Sequence, residues 1–155
     1  MKVFKCAYNQ CKFNNEVSEE IAVKHKNRYY HVECLQEATN KNEVRQLFFE
    51  HINKTEVASS LNKTINMIID EKNVASDLLL FAIKYVIRNK LPLNHASGLH
   101  YIINNTKMKE EYYKTKANEL MKQTKNTTIE NIKFQDEITF NSNVENNSWN
   151  KLFKG

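Results

Sequence analysis

The sequence predicts a mainly α-helical protein: a small N-terminal finger of short β-hairpins and one helix, then an all-helical domain, then a flexible C-terminal tail. Three observations predict it. All three cysteines lie among the first 34 residues, close to a histidine. Apolar residues between Val44 and Ile103 recur at a helical period. From Asn126 the chain turns rich in Asn, Ser and Thr, with isolated hydrophobics and no sustained period.

Cys6, Cys11, His31 and Cys34 read as C-x4-C-x19-H-x2-C. Two short ligand pairs joined by a longer loop can supply the four donors that tetrahedral zinc takes at about 2.0–2.3 Å. Residues 1–38 are therefore expected to fold around one zinc ion, although they carry little core of their own. Four protein ligands leave no open position for water, so the expected role is structural rather than catalytic. Two alternatives stand beside this reading. His25, in the loop between the pairs, could replace His31, and one disulfide with a free cysteine could replace the metal.

The segments KCAYNQC and KNRYYHVECLQEA resemble the first zinc module of a LIM domain, or a related treble-clef finger. An aromatic residue precedes the H-x2-C pair, and a short helix is expected to follow it. The resemblance covers residues 3–38. Its first pair has four intervening residues where LIM has two, and no second module follows. It implies a module that binds proteins or nucleic acids and performs no chemistry.

Helical periodicity sets in behind the finger, giving a domain expected over residues 39–125. Asn40 stands three residues before Glu43, a capping-box-like start for a helix over 41–53 with Val44, Leu47, Phe48 and Ile52 on one face. Val57, Leu61, Ile65, Ile68 and Ile69 predict a second helix running to about Asp70. Ser76 and Asp77 can cap a third, the most apolar, which carries Leu79, Ala82, Ile83, Val86 and Ile87 and stops before Leu91-Pro92. Asn94 can cap a short fourth helix with Leu99, Ile102 and Ile103, ending at Asn104-Asn105. Residues 106–125 are helix-prone but polar, with Met108, Tyr112, Leu120 and Met121 as their apolar contacts.

The stretches LFFEHIN, INMIIDE, LLLFAIKYVIRNK and GLHYIINN, within residues 47–105, resemble the helical domain of DnaD-type replication proteins of Gram-positive bacteria and their phages. In that family a tryptophan-containing end helps contact DNA. Asn104-Asn105 stands there in this chain. The resemblance implies a role in DNA replication or its control.

The net charge is +5 at pH 7, which permits contact with nucleic acid without demanding it. Basic and aromatic residues that could hold phosphates and stack bases are Lys24, Lys26, Arg28 and Tyr29 in the finger, with Lys84, Arg88 and Lys90 on the third helix. Phosphate-binding loops, dinucleotide fingerprints and H-E-x-x-H are absent. Every cysteine is assigned to metal, so no free thiolate nucleophile remains. The chain is thus expected to be no enzyme, with no catalytic residues and no small-molecule substrate. No apolar run approaches the roughly 20 residues that span a bilayer, and no hydrophobic leader opens the chain. A cytoplasmic location in a bacterial host cell is expected. Abundant Asn, Lys and Ile with two Gly and one Pro fit an AT-rich coding sequence, such as that of a low-GC Gram-positive bacterium or its phage.

In the tail (126–155), residues 132–134 and 138–140 could pair as strands. Trp149, Leu152 and Phe153 fall on one side of a possible helical turn, the spacing of a tethered docking motif. The other reading folds Trp149 back onto the protein's own core. The function expected from the whole is that of a non-enzymatic, zinc-binding phage or mobile-element accessory protein that binds nucleic acid. The alternative partner is a host or phage protein whose activity it modulates.

Overall fold

Two tight hairpins build the N-terminal module. In the computed structural model, which describes residues 1–135 and their side chains as far as residue 126, β1 (Val3–Lys5) pairs antiparallel with β2 (Glu16–Ser18). β3 (Val23–His25) pairs in the same way with β4 (Arg28–Tyr30). Lys26 and Asn27, with φ of 47° and 61°, close the second hairpin as a two-residue turn. Positive φ at both central positions is what a type I′ turn needs to match the strands' right-handed twist. The Ala7 amide donates to the Tyr29 carbonyl at 2.8 Å, so the loop after β1 is tied to β4.

α1 (Val32–His51) starts directly behind β4 and runs for 20 residues. The expected boundary at residue 38 therefore falls inside one continuous helix. Asn40, expected to cap a helix, is instead buried in the middle of α1. Its amide nitrogen donates to Ser76 Oγ at 2.9 Å and its carbonyl accepts from Gln36 Nε2 at 3.0 Å. No Gly or Pro between residues 32 and 51 interrupts the helix, and tertiary partners satisfy the amide that a cap position would otherwise use.

α2 (Ala58–Asn66) continues into a π-helical turn at Met67–Glu71, where the Lys72 amide reaches back to the Met67 carbonyl at 3.0 Å. α3 (Ser76–Asn89) is entered through Ala75 rather than capped by Ser76 or Asp77, whose side chains serve tertiary contacts instead. It ends on Lys90 in the left-handed conformation, and the Leu91 amide donates back to the Val86 carbonyl at 3.0 Å. That closes the helix one residue ahead of Leu91-Pro92. A 3-10 turn at Ala96–Gly98 leads into α4 (Leu99–Ile102), so the Asn94 cap gives way to entry through His95. Asn105 caps α5 (Thr106–Gln135), its side-chain oxygen accepting from the Met108 amide at 3.0 Å.

The core gathers Val44 and Phe48 of α1, Leu61 and Ile65 of α2, Ile68 and Ile69 of the π turn, and Leu79, Ala82, Ile83 and Val86 of α3. Leu99, Ile103 and Met108 close it. These are the stripes the periodicity marks. Val57 departs from its stripe, because it is the extended residue before α2 and stands exposed.

The chain divides into two compact units, Met1–Lys114 and Thr115–Gly155. Unit 1 holds both hairpins and the core. In unit 2, Leu120 and Met121 are each 62% exposed, so these two are not core contacts. Because no Gly or Pro lies between 106 and 135, α5 continues to Gln135. Helix thus occupies residues 126–135, the first part of the expected tail, including the segment 132–134 that could have formed a strand. The partner strand at 138–140, and Trp149, Leu152 and Phe153, lie outside the described residues.

Candidate metal centre

Four side chains converge at the junction of the two hairpins with α1. One donor atom from each of Cys6, Cys11, His31 and Cys34 lies within 4.8 Å of all the others, and no disulfide joins the cysteines. Cys6 follows β1. Its amide donates to the Asn15 carbonyl at 2.8 Å. Cys11 sits in a turn where its amide reaches the Tyr8 carbonyl at 3.2 Å, and its Sγ accepts from the Phe13 amide at 3.4 Å. His31 is the extended residue that precedes α1, and Cys34 stands on the first helical turn, so the H-x2-C spacing points both side chains at one spot.

The histidine's orientation is fixed from outside the cluster. Its Nε2 lies 3.0 Å from the Glu16 carbonyl oxygen, which can only accept, so Nε2 carries the proton. Nδ1 then presents its lone pair to Cys11 Sγ at 3.5 Å and Cys34 Sγ at 3.7 Å. A tetrahedral centre with bonds of about 2.3 Å to sulfur and 2.0 Å to nitrogen has N···S edges of about 3.5 Å. The donor set thus fits a tetrahedral metal ion. A histidine held through its second nitrogen is the usual outer-shell device of such sites.

The electrostatics point the same way. Burial, then the neighbouring Cys11 and Cys6 side chains, push the Cys34 thiol up to about 12. Burial also raises the Cys11 thiol, but amide hydrogen bonds from Phe13 and Asn15 outweigh it and the net direction is down. The raised Cys34 thiol ionises at neutral pH only if a cation takes the place of its proton. His25, the alternative ligand, is exposed near the hairpin tip with its ring edge-on to Tyr30. His95 and His100 face Glu56 and Lys72, and among the described residues neither joins a cluster of metal-ligating side chains.

The basic residues separate into two groups. Lys24, Lys26 and Arg28 are exposed around the β3–β4 turn, and among the described residues no carboxylate pairs with them. Tyr29, the cross-strand partner of Lys24, stacks on Phe4, with ring centroids 3.8 Å apart and planes 7° from parallel, and Lys24 Nζ lies over its ring, 6.0 Å from the centroid. On α3 the picture differs. Lys84 pairs with Glu43 at 2.6 Å, Arg88 pairs with Glu111, and Lys90 is the residue that closes the helix.

Sequence reasoning missed the residues that join the metal loop to the helices. Lys41 is 3% exposed, and its ammonium donates to Gln10 Oε1 at 2.7 Å and to both Asp70 oxygens at 3.1 Å. Tyr8 lies beneath it and donates its hydroxyl to Glu37 at 2.6 Å. Burial, then that carboxylate, push the Tyr8 phenol upward. Only the placement of Tyr8 and Gln10 between two ligand cysteines signals their role in the sequence.

No protein-family model, curated protein or solved structure matches the chain. Among the described residues no helix is long and apolar enough to cross a membrane.

Proposed function

We propose that the N-terminal module is a structural zinc finger of LIM-like or treble-clef type, and that the protein is a non-enzymatic nucleic-acid-binding protein. Zinc is supported by the donor set, since three thiolates and one imidazole suit it better than the oxygen-seeking divalent ions. With all four positions taken by protein, the ion would hold the fold and leave none open for substrate.

The observation that carries the binding reading is the β3–β4 turn. Lys24, Lys26 and Arg28 stand exposed on a hairpin whose base is tied to the metal loop, with Lys24 opposite Tyr29 on the face of the Tyr29–Phe4 stack and Arg28 opposite His25 on the other face. Basic side chains without carboxylate partners suit phosphate, and the Tyr29 ring, stacked on Phe4 with Lys24 Nζ 6.0 Å from its centroid, supports them from the hairpin. The ion-paired Lys84 and Arg88 are left out of this footprint. Fluorescence anisotropy with labelled single- and double-stranded DNA at low salt tests it. Binding should weaken steeply as salt rises, and Lys24→Ala/Lys26→Ala/Arg28→Ala together should flatten the log–log slope by roughly 2–3. Absence of binding at low salt overturns the reading.

A second reading, docking to another protein, is favoured by one observation. Ala117, Leu120 and Met121 form an exposed apolar patch on α5 with Thr124 and Lys125. A salt-resistant complex lost in Leu120→Glu/Met121→Glu would select it.

A further inference from the structure

Between the Cys6–Cys11 loop and α1 lies a cleft of about 270 Å³ that neither the metal centre nor the hairpin uses. Ala7 and Ala38 line it with small side chains, and Tyr8 and Tyr30 add aromatic surface. Asn9, Gln10, Asn42 and Asn66 contribute primary amides, and Lys41 and Arg45 are its two cations.

Those cations differ. Lys41 is neutralised by Asp70, whereas Arg45 is half-buried and bonded only to neutral amides, Asn62 through Nε and Asn42 through Nη1 at 2.6 Å. Among the described residues no carboxylate pairs with it. A guanidinium carries five donors, so several N–H groups remain for a ligand. Burial disfavours its charge and lowers its pKa; a bound anion would offset that cost. Around it, Asn42 gives its oxygen to Arg45, and among the described residues the Asn42 NH₂ and both polar ends of Asn9 and Asn66 meet no hydrogen-bond partner.

One anion-binding fork, several paired donor and acceptor groups and aromatic surface make a consistent recognition set. We infer that this cleft binds a nucleoside monophosphate unit, with the phosphate on Arg45 and the base edge on the Asn42 and Asn66 amides. Guanidinium forks match phosphate, and primary amides match the paired donors and acceptors of base edges. Tyr30 lies on β4 two residues from Arg28, about 7 Å along the strand. The cleft therefore continues from the basic hairpin. The unit could be a free nucleotide or the phosphorylated end of a strand. This inference deepens the nucleic-acid reading and rests on it.

The test is ¹H–¹⁵N NMR of the full zinc-loaded chain, titrated with AMP, CMP, GMP, UMP, adenosine, inorganic phosphate, and a short oligothymidylate with and without a terminal phosphate. Nucleotides are expected to shift the Arg45 Nε–H and the Asn42 and Asn66 side-chain amides, and to do so at lower concentration than phosphate or adenosine alone. A shift by the phosphorylated oligonucleotide identifies a strand end as a ligand, and a response confined to free nucleotides identifies a soluble one. Arg45→Gln should weaken binding at least tenfold. Because Arg45 also bonds α2, Ala38→Leu provides a second variant that fills the cleft and keeps the guanidinium, and it should weaken binding similarly. No shift from any nucleotide or strand at millimolar concentration overturns the inference. If DNA binding through the hairpin persists in that case, the cleft alone fails. Shifts from nucleotides without any DNA binding leave the cleft standing and remove the hairpin reading.

Discussion

Gln10 Oε1 accepts a 2.7 Å hydrogen bond from Lys41 Nζ, so the residue just before the ligand Cys11 is held by the nitrogen that also pairs with Asp70. Asp70 belongs to the π-helical turn after α2. One buried ammonium thus ties the metal loop, α1 and the helical core together. The Tyr8–Glu37 bond runs parallel to it, from the same loop to the same helix.

Lys41→Met is expected to destabilise unit 1 by about 2–3 kcal/mol. Removing one partner of a buried ion pair typically costs about 3–5 kcal/mol because the other charge is stranded. Here Asp70 and Glu37 retain 19% and 18% side-chain exposure, so some water reaches them and the cost is reduced. Urea denaturation measures it. Lys41→Met/Asp70→Leu should recover most of the loss, and a double variant no better than the single one would refute the pairing argument.

Metal removal should separate the module from the core without dissolving the core. Elemental analysis should find about one zinc per chain, and Cys34→Ser should lose it. The apolar residues of α1, α2 and α3 pack on one another rather than on the metal loop, so a chelator should leave most far-ultraviolet helical signal. The tyrosine signal in the near ultraviolet should fall, because Tyr8 lies in the loop between Cys6 and Cys11 and Tyr29 on the strand tied to that loop. Complete loss of helicity would show instead that α1 cannot form without its liganded first turn.

Charge pairing predicts a contrast between the two basic groups. Lys84→Ala/Arg88→Ala should leave DNA affinity within about twofold, since Glu43 and Glu111 already neutralise those side chains. Such exposed pairs contribute only about 0–1 kcal/mol to stability, so the variant also stays folded. The hairpin triple variant should lose most of the affinity. Equal losses in the two variants would mean that binding follows net charge and not a site.

The clustering of Cys6, Cys11, His31 and Cys34 was legible in the sequence because paired Cys/His spacing is so restricted a pattern. The core stripes on α2 and α3 were legible through their period. Helix starts were not. Asn40 followed by Glu43, and Ser76-Asp77, carry capping chemistry, yet Asn40 and Ser76 use their side chains on each other across 36 positions of sequence. Pairing of Lys41 with Asp70, or of Lys84 with Glu43, depends on how helices lie together. No local pattern encodes that.

Asn40 supplies the last prediction, one with a sign in pH. It is 3% exposed, and its donor end meets Ser76 Oγ. Asn40→Asp keeps the shape but places a carboxyl where water scarcely reaches. Burial disfavours the charged form, so the folded-state pKa of the introduced group rises above its unfolded value of about 3.9. A raised carboxyl pKa means that the folded chain binds more protons than the unfolded one between those two values. Its effect is therefore mildest at low pH and grows as pH climbs toward the folded pKa, reaching about 1.4 kcal/mol for each pH unit that separates the folded and unfolded values. Measuring Asn40→Asp against the parent chain at pH 5.5 and pH 8 cancels any common pH effect on the metal ligands. The deficit should be larger at pH 8, on the order of 2–3 kcal/mol. A deficit that shrinks toward pH 8 would show that the carboxylate finds a cation or water at this position, and that the Asn40–Ser76 contact is more open than its burial implies.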